Sequence, residues 1–435
     1  MIEPDSDSYE RARTTWALAA DLRPAAVAFP TDTADAAGIV RRAAAEGWRV
    51  APVGTGHNAH PLGDLSGSVL VRTSGLSAIR VNPSTRRARV GAGAVWAPIV
   101  ERAGAHGLAA LHGSSPDAGV VGYLLGGGLS WYGRSKGLAV NSVTAVELVT
   151  ADGGLLRAGA DHEPDLFWAL RGGGAANFGL VTAVEFTLYP IATAYAGMMV
   201  WDQREAHRVL SRWAELVEAA PEELTTAYRH MNFPPMPEVP EPFRGRNLVI
   251  VDGAALGAAG PRLLAPLRDL APEIDTFAEL AASALVRIHM DPEQPSPGWG
   301  RATLLDEFPP AAVDRLIEVA GLDSGTSLVL PAEIRHLGGA LSRPDRAGGA
   351  LSALDGRYQL ICGGLMIGDL SKQTAVDTDR VIRAFGSWSR GREYLNFKEE
   401  KVDLATAFDQ PTLQRLQLIR RQVDPAGLFQ ANHEL

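Results

Sequence analysis

The sequence predicts an α+β protein of two domains, the first of which brings bare backbone close to a ligand. Three observations lead there. At 435 residues the chain exceeds one ordinary core, since domains run to ~100–200 residues. Its glycine runs Gly54-Thr55-Gly56, Gly91-Ala92-Gly93, Gly126-Gly127-Gly128 and Gly172-Gly173-Gly174 all precede residue 180. From residue 194 onward, helical and strand periodicities mix in the manner of a sheet covered by helices on one face. The expected division is 1–193, then 194–389, with 390–435 returning to complete the first domain.

Taken in order, Thr33 is expected to cap a helix over 36–45 that Gly47 stops. A strand over 49–53 runs into the loop Gly54-Thr55-Gly56-His57-Asn58, and strands over 68–71 and 87–91 precede a helix over 96–105. Residues 142–150 alternate as a strand, turn at Asp152-Gly153 and return over 155–157. A short helix over 165–170 leads through Gly172-Gly173-Gly174 to a strand over 180–188. In the second block, helices are expected over 204–219, 261–270 and 311–320, and strands over 248–251, 327–330 and 358–367. The proline-rich segments 234–237 and 291–297 read as surface loops. A final helix over 411–423 stops at Asp424-Pro425.

Composition narrows the function. Apolar content of 46% and charged content of 21% are those of a globular chain. The balance of 41 basic against 50 acidic residues, −9, argues against a nucleic-acid binder or a polybasic membrane anchor. No run approaches ~18 apolar residues, and the acidic start Met1-Ile2-Glu3-Pro4-Asp5 lacks the blocks of a secretory signal, so a cytoplasmic protein is expected. The single cysteine, Cys362, makes no internal disulfide and no cysteine-rich metal site. Gly-Lys never occurs, which removes the NTPase phosphate loop, and His-Glu-x-x-His is missing too. The two Gly-x-Gly runs lack the third glycine of the ordinary dinucleotide fingerprint. What remains is loops whose successive amides form a nest for an anion such as a pyrophosphate, above all 53–58 and 113–119. Tight turns are the bland explanation of each loop alone. All of them in one domain favour a dinucleotide cofactor.

Several stretches carry a resemblance. They are Pro52-Val53-Gly54-Thr55-Gly56-His57-Asn58, Gly113-Ser114-Ser115-Pro116-Asp117-Ala118-Gly119, and Leu166-Phe167-Trp168-Ala169-Leu170-Arg171-Gly172-Gly173-Gly174 through Asn177-Phe178-Gly179. Tyr394-Leu395-Asn396-Phe397 and Asp424-Pro425-Ala426-Gly427-Leu428-Phe429 complete the set. Together they resemble the FAD-linked oxidases of the vanillyl-alcohol-oxidase (PCMH) type, in particular the berberine-bridge-enzyme-like branch of bacterial, singly attached form. The resemblance runs from about Pro30 to Phe429.

It implies a PCMH-type FAD-binding domain of two α/β subdomains, plus a substrate domain built on an antiparallel sheet. It implies FAD held by Val53, Gly54, Thr55, Gly56, His57, Asn58, Ser115, Ala118, Gly119, Gly122 and Gly126, and by Asn177, Gly179, Val181, Tyr394, Asn396 and Asn432. His57 stands where the family's histidine bonds the flavin 8α carbon, and a neutral imidazole nitrogen is a competent nucleophile. Ser115 replaces the cysteine of doubly attached relatives, so His57 is expected to be the single link. Ala118 is small where a bulky residue hinders oxygen, which favours oxidase over dehydrogenase.

Leu129 and Phe397 stand where relatives place tyrosines, leaving Tyr394 as the first candidate base, assisted by Arg335, with Glu333 as the second; His336 follows on the same segment. Hydride would pass from a C–H beside an O–H or N–H to flavin N5, and molecular oxygen would become hydrogen peroxide. The rivals are a flavin-carrying cyclase, lyase or binding protein with eroded oxidase residues, and an NAD(P)H-dependent reductase. The substrate is expected to be a small molecule, for which Trp131, Tyr132, Met231, Phe233 and Met366 offer apolar lining. Its identity and the oligomeric state are left open by the sequence.

Overall fold

The computed structural model describes residues 1–326 and 331–435; the strand expected over 327–330 lies outside them. A parallel three-stranded sheet runs Ala26–Ala28, Ser68–Arg72, Arg49–Val53. The helix Thr33–Glu46 covers it, and its small apolar face (Ala36, Val40, Ala43) lies against Val50, Val69 and Val71. Its cap is Asp32, one residue before the expected Thr33, because the Asp32 carboxylate accepts from the Asp35 amide at 2.8 Å. Gly47 ends the helix at φ 72°, a left-handed stop.

The second sheet is antiparallel, in the order Ile79–Asn82, Arg87–Gly91, Leu180–Thr187, Val143–Val149, Leu155–Gly159. The helices Trp96–Gly104, Val120–Leu125 and Pro164–Leu170 pack in its core, joined by the C-terminal helix Gln410–Val423. The chain end returns to the first sheet: Phe429 bridges Val50, and Ser68 Oγ donates to Gln430 Oε1 at 2.6 Å.

The third sheet is wholly antiparallel. Its strands follow Ile274–Asp275, Thr193–Asp202, Asn247–Ala255, Leu224–Asn232, Ala332–His336, Tyr358–Leu365 and Gly298–Leu305, with Ala278–Ala281 also beside Thr193–Asp202. Helices Ala206–Glu218, Pro310–Ala320 and Leu370–Ala384 cover one face, with Val209, Trp213, Leu316 and Val381 packed on Tyr228, Val251, Ile334 and Leu360. The helix expected over 261–270 divides into Gly260–Leu263 and Ala265–Arg268, because Pro266 has no amide to continue the ladder. No helix among the described residues is long and apolar enough to cross a membrane.

Two contacts fix the third sheet against the first two. Trp16 donates to Thr55 O (3.0 Å) and accepts from the Ser296 amide (3.0 Å), so the N-terminal segment straps both sides. Arg134, buried in the short helix Gly133–Lys136, donates to the carbonyls of Leu224 (2.8 Å), Ala220 (3.1 Å) and Leu337. Burial pulls its pKa down to about 10, which keeps it charged at neutral pH. Arg134→Met is expected to strand these carbonyls and cost about 2–4 kcal/mol, read as a lower denaturant midpoint; an unchanged midpoint would refute the clamp.

Candidate active site: a glycine-walled cleft

A cleft of ≈ 530 Å³ runs between the first two sheets and the bare face of the third. Residues 53–58 line one side, followed by Ser115, Ala118, Gly119, Gly122 and Gly126. Gly179, Val181, Asn396 and Asn432 complete the expected set that faces it. The amides of Thr55, Gly56, His57 and Asn58 have no protein acceptor among the described residues, as an anion nest requires. Glycine is obligatory in places. At Gly172 (φ 104°) a Cβ would stand 2.5 Å from the Leu351 nitrogen, and at Gly126 it would meet Asn396 Oδ1 at 1.8 Å.

Two expected cofactor contacts stand behind this wall instead. Asn177 Nδ2 donates to Gly173 O (3.1 Å) and His433 O (2.9 Å), tying the glycine loop to the chain end. Tyr394 is buried, its hydroxyl accepting from the Gly128 amide (2.6 Å) and from Asn396 Nδ2 (3.2 Å). Burial pushes its phenol well above the ordinary range. The Gly128 and Asn396 donors and the Arg335 charge all favour the phenolate, but burial outweighs them.

His57 is held from two sides. Trp16 stacks on its ring at 3.9 Å and 17°, and Asp117 Oδ1 is 3.4 Å from Nε2. Asp117 also accepts from Trp16 Nε1 (2.6 Å) and Ser115 Oγ (2.8 Å). Burial opposes its charge, yet His57, Ser115 and Trp16 outweigh that and hold the carboxyl below the usual range. Asp117 thus flanks the ring at Nε2 at ion-pair distance without a hydrogen bond to it, and the Trp16 stack fixes the ring plane.

The opposite wall follows from strand alternation. In Ala332–His336, Ala332 and Ile334 face the helices, so Glu333 and Arg335 face the cleft. Arg335 Nε donates to Glu333 at 2.5 Å, its guanidinium lies 5.1 Å over the Phe397 ring, and its charge also acts on Tyr394, against the rise that burial causes. His289 is 3.5 Å from Glu333 and donates from Nδ1 to Asp252 (2.8 Å), which also accepts from Arg229 (2.5 Å). Desolvation and Arg229 oppose protonation of His289, but Asp252, Glu333 and Asp291 carry its pKa up to about 9. Glu333, though desolvated, is held far below the carboxylate range by Arg335 and His289.

Of the five expected apolar lining residues, Tyr132 is core, while Met231 and Phe233 pack with Met198 and Phe243 away from the cleft. Trp131 borders a recess beside it, and Met366 lines neither cavity. Asp252, His289 and Glu399 were missed because they sit in no motif; Asp252, a lone carboxylate inside an apolar strand, was the available signal. Glu399 lines the cleft, accepts from the Gly300 amide at 2.9 Å, and is raised by burial to about 7. Among the described residues no cluster suits a metal ion.

A histidine raised on folding from 6.5 to about 9 stabilises fully below 6.5 and loses that contribution as pH climbs through 9. The thermal midpoint is therefore expected to fall between pH 7.5 and 10. His289→Gln should flatten the fall, and an equal fall in the variant would refute the network.

Comparison with known proteins agrees with this geometry. Residues 24–159 match the family described as "FAD binding domain". The chain is 32% identical over 202 residues to (R)-6-hydroxynicotine oxidase of Paenarthrobacter nicotinovorans, covering 46% of this chain and 44% of that protein. It therefore spans under half the length of that relative. A xylooligosaccharide oxidase of Thermothelomyces thermophilus is 27% identical over 93% of this chain and 86% of its own. Among solved structures, 6-hydroxy-D-nicotine oxidase from Arthrobacter nicotinovorans superposes with a TM-score of 0.84 at 23% identity, over 98% of this chain and 95% of that one. A chitooligosaccharide oxidase gives 0.82 at 20%, over 99% and 96%. The chain thus carries an FAD-binding domain over residues 24–159 and shares its fold with these solved oxidase structures.

Proposed function

We propose that the chain is an FAD-dependent oxidase acting on a C–H beside an O–H or N–H of a small organic substrate, with oxygen as acceptor. The observation that carries this is His57, flanked by Asp117 and Trp16 beside a row of bare amides in a glycine-walled cleft. When bound, FAD takes a hydride from substrate at N5 and passes two electrons to O2, giving H2O2.

The residues divide the remaining work. The amides of 55–58 bind the pyrophosphate, while Gly126 and Gly172 let Asn396 and Leu351 pack directly against the cleft wall. His57 is the covalent anchor, with Asp117 beside Nε2. Ser115 replaces a second anchor and has its hydroxyl committed to Asp117. Ala118, on the cleft wall, leaves the path for oxygen open. Glu399 is better placed than Tyr394 or Glu333 to take the substrate proton: its carboxyl faces the cleft and changes charge near neutrality.

Acid-precipitated protein is expected to stay yellow and yield a His57 peptide carrying flavin; an unmodified peptide with all flavin in the supernatant ends the covalent reading. Mixing apoprotein with FAD should form that adduct on the order of 10- to 100-fold more slowly in Asp117→Asn. An unchanged rate there would remove Asp117 from its positioning role.

Flavin reduction by a turned-over substrate should rise with pH through about 7, as Glu399 loses its proton. In Glu399→Gln it should be slower by ~10²–10⁴-fold and lose that rise. A profile untouched by the substitution would exonerate the carboxyl. The buried hydroxyl of Tyr394 and the ion-paired Glu333 favour a second reading, a flavin-carrying cyclase or lyase. Substrate conversion without peroxide would select it.

A further inference from the structure

A recess of ≈ 30 Å³, room for about two waters, opens off the cleft. Ser114, Leu129 and Arg335 line both spaces; Trp131, Thr225 and Leu341 line the recess. Its polar atoms are short of acceptors. Trp131 Nε1 and Thr225 Oγ1 belong to side chains 8% exposed and have no partner among the described residues. Arg335 commits Nε to Glu333, while Nη2 faces His289 Nε2 at 3.4 Å, a contact of two N–H groups when His289 is protonated.

The acids nearby are already engaged. Glu333 answers Arg335 and His289, Asp252 answers Arg229 and His289 without reaching the cleft, and Asp291 accepts from Ser114 Oγ at 2.7 Å. At the buried end, three cations (Arg229, His289, Arg335) face two anions (Asp252, Glu333), with Asp291 at the rim. With Asp291 counted the charges balance three against three, and a ligand arriving there meets the Arg335 guanidinium and the unpartnered N–H of Trp131. Around them Leu129, Phe397 and Ile361 offer apolar surface.

We propose that Arg335, Trp131 and the recess form a carboxylate subsite, so that the substrate is a small apolar or aromatic acid rather than a sugar or an amine. This deepens the oxidase reading and rests on it. An ammonium would be set against the Arg335 guanidinium, with Thr225 Oγ1 and the rim carboxylate Asp291 as its acceptors, and a sugar would set several hydroxyls against Leu129, Phe397 and Ile361.

Calorimetric titration of the purified protein with benzoate, benzamide and benzylamine tests the charge directly. Benzoate is expected to bind at least ~10-fold more tightly than isosteric benzamide, and Arg335→Met to weaken it by ~10–100-fold. Because that variant leaves Glu333 with one partner fewer, Trp131→Phe is the gentler check: a severalfold loss for benzoate and none for benzamide. Arg335→Lys should recover part of the affinity. Equal binding of benzoate and benzamide, a preference for benzylamine, no benzoate binding, or benzoate binding indifferent to both positions overturns the subsite. The colour of the preparation judges the flavin reading separately: a yellow protein that ignores benzoate refutes the subsite alone, and a colourless one that binds it refutes the flavin alone.

Discussion

A carboxylate buried to 2% exposure cannot stay ionised without cations at hand, and Glu333 sets that requirement for the whole substrate wall. Arg335 and His289 meet it on one side; Asp252 and Arg229 then balance His289 on the other. The register of three adjacent strands makes this possible. Arg229 stands opposite Glu333, and the neighbouring pair Ala227–Asp252 brings the second acid to the same face. Each member alone would be an expensive buried charge. Linked, they form a rigid, dry surface whose polarity is fixed before any ligand arrives.

The facing wall solves a different problem, which is to bring backbone rather than side chains to the ligand. Glycine does this at the cost of rigidity, and rigidity is restored from behind. Asn177 ties the loop at 172–174 to the chain end, Tyr394 pins the Gly128 amide, and Asn396 donates to the Tyr123 carbonyl. These polar side chains are the scaffold of the cleft, and that explains why two of them, Asn177 and Tyr394, sit among family motifs without lining it.

The legible parts of the chain were those with a local cause. Gly47 stopped its helix, and the strands over 49–53 and 87–91 fell where alternation and flanking glycines placed them. The glycine loops were readable as bare backbone, and the stretch 53–58 with His57 does line the cleft. The substrate wall was not readable. His289 meets Asp252 across 37 residues of sequence and Glu333 across 44, and only the sheet register brings them together. The setting of Tyr394 was hidden for the same reason: a motif gives a residue's neighbourhood, whereas its hydroxyl's partners, Gly128 and Asn396, depend on tertiary packing.

The division of charge within the cleft argues for how a proton would move there. Two of the carboxyls that line it have contrasting surroundings: Glu333 is stabilised as an anion by a guanidinium and an imidazolium, while Glu399 has one backbone amide and, at 3.8 Å, a His60 imidazole whose own pKa burial lowers, and is pushed up to about 7 by burial. Environments that separate two acids in this way separate their roles. An anion already paid in full by Arg335 gains little from accepting a proton, so Glu333 shapes the field and positions Arg335. Glu399 lacks such support, and protonation relieves its desolvation. The same cleft thus offers a fixed charge on one strand and a titrating one on the C-terminal segment.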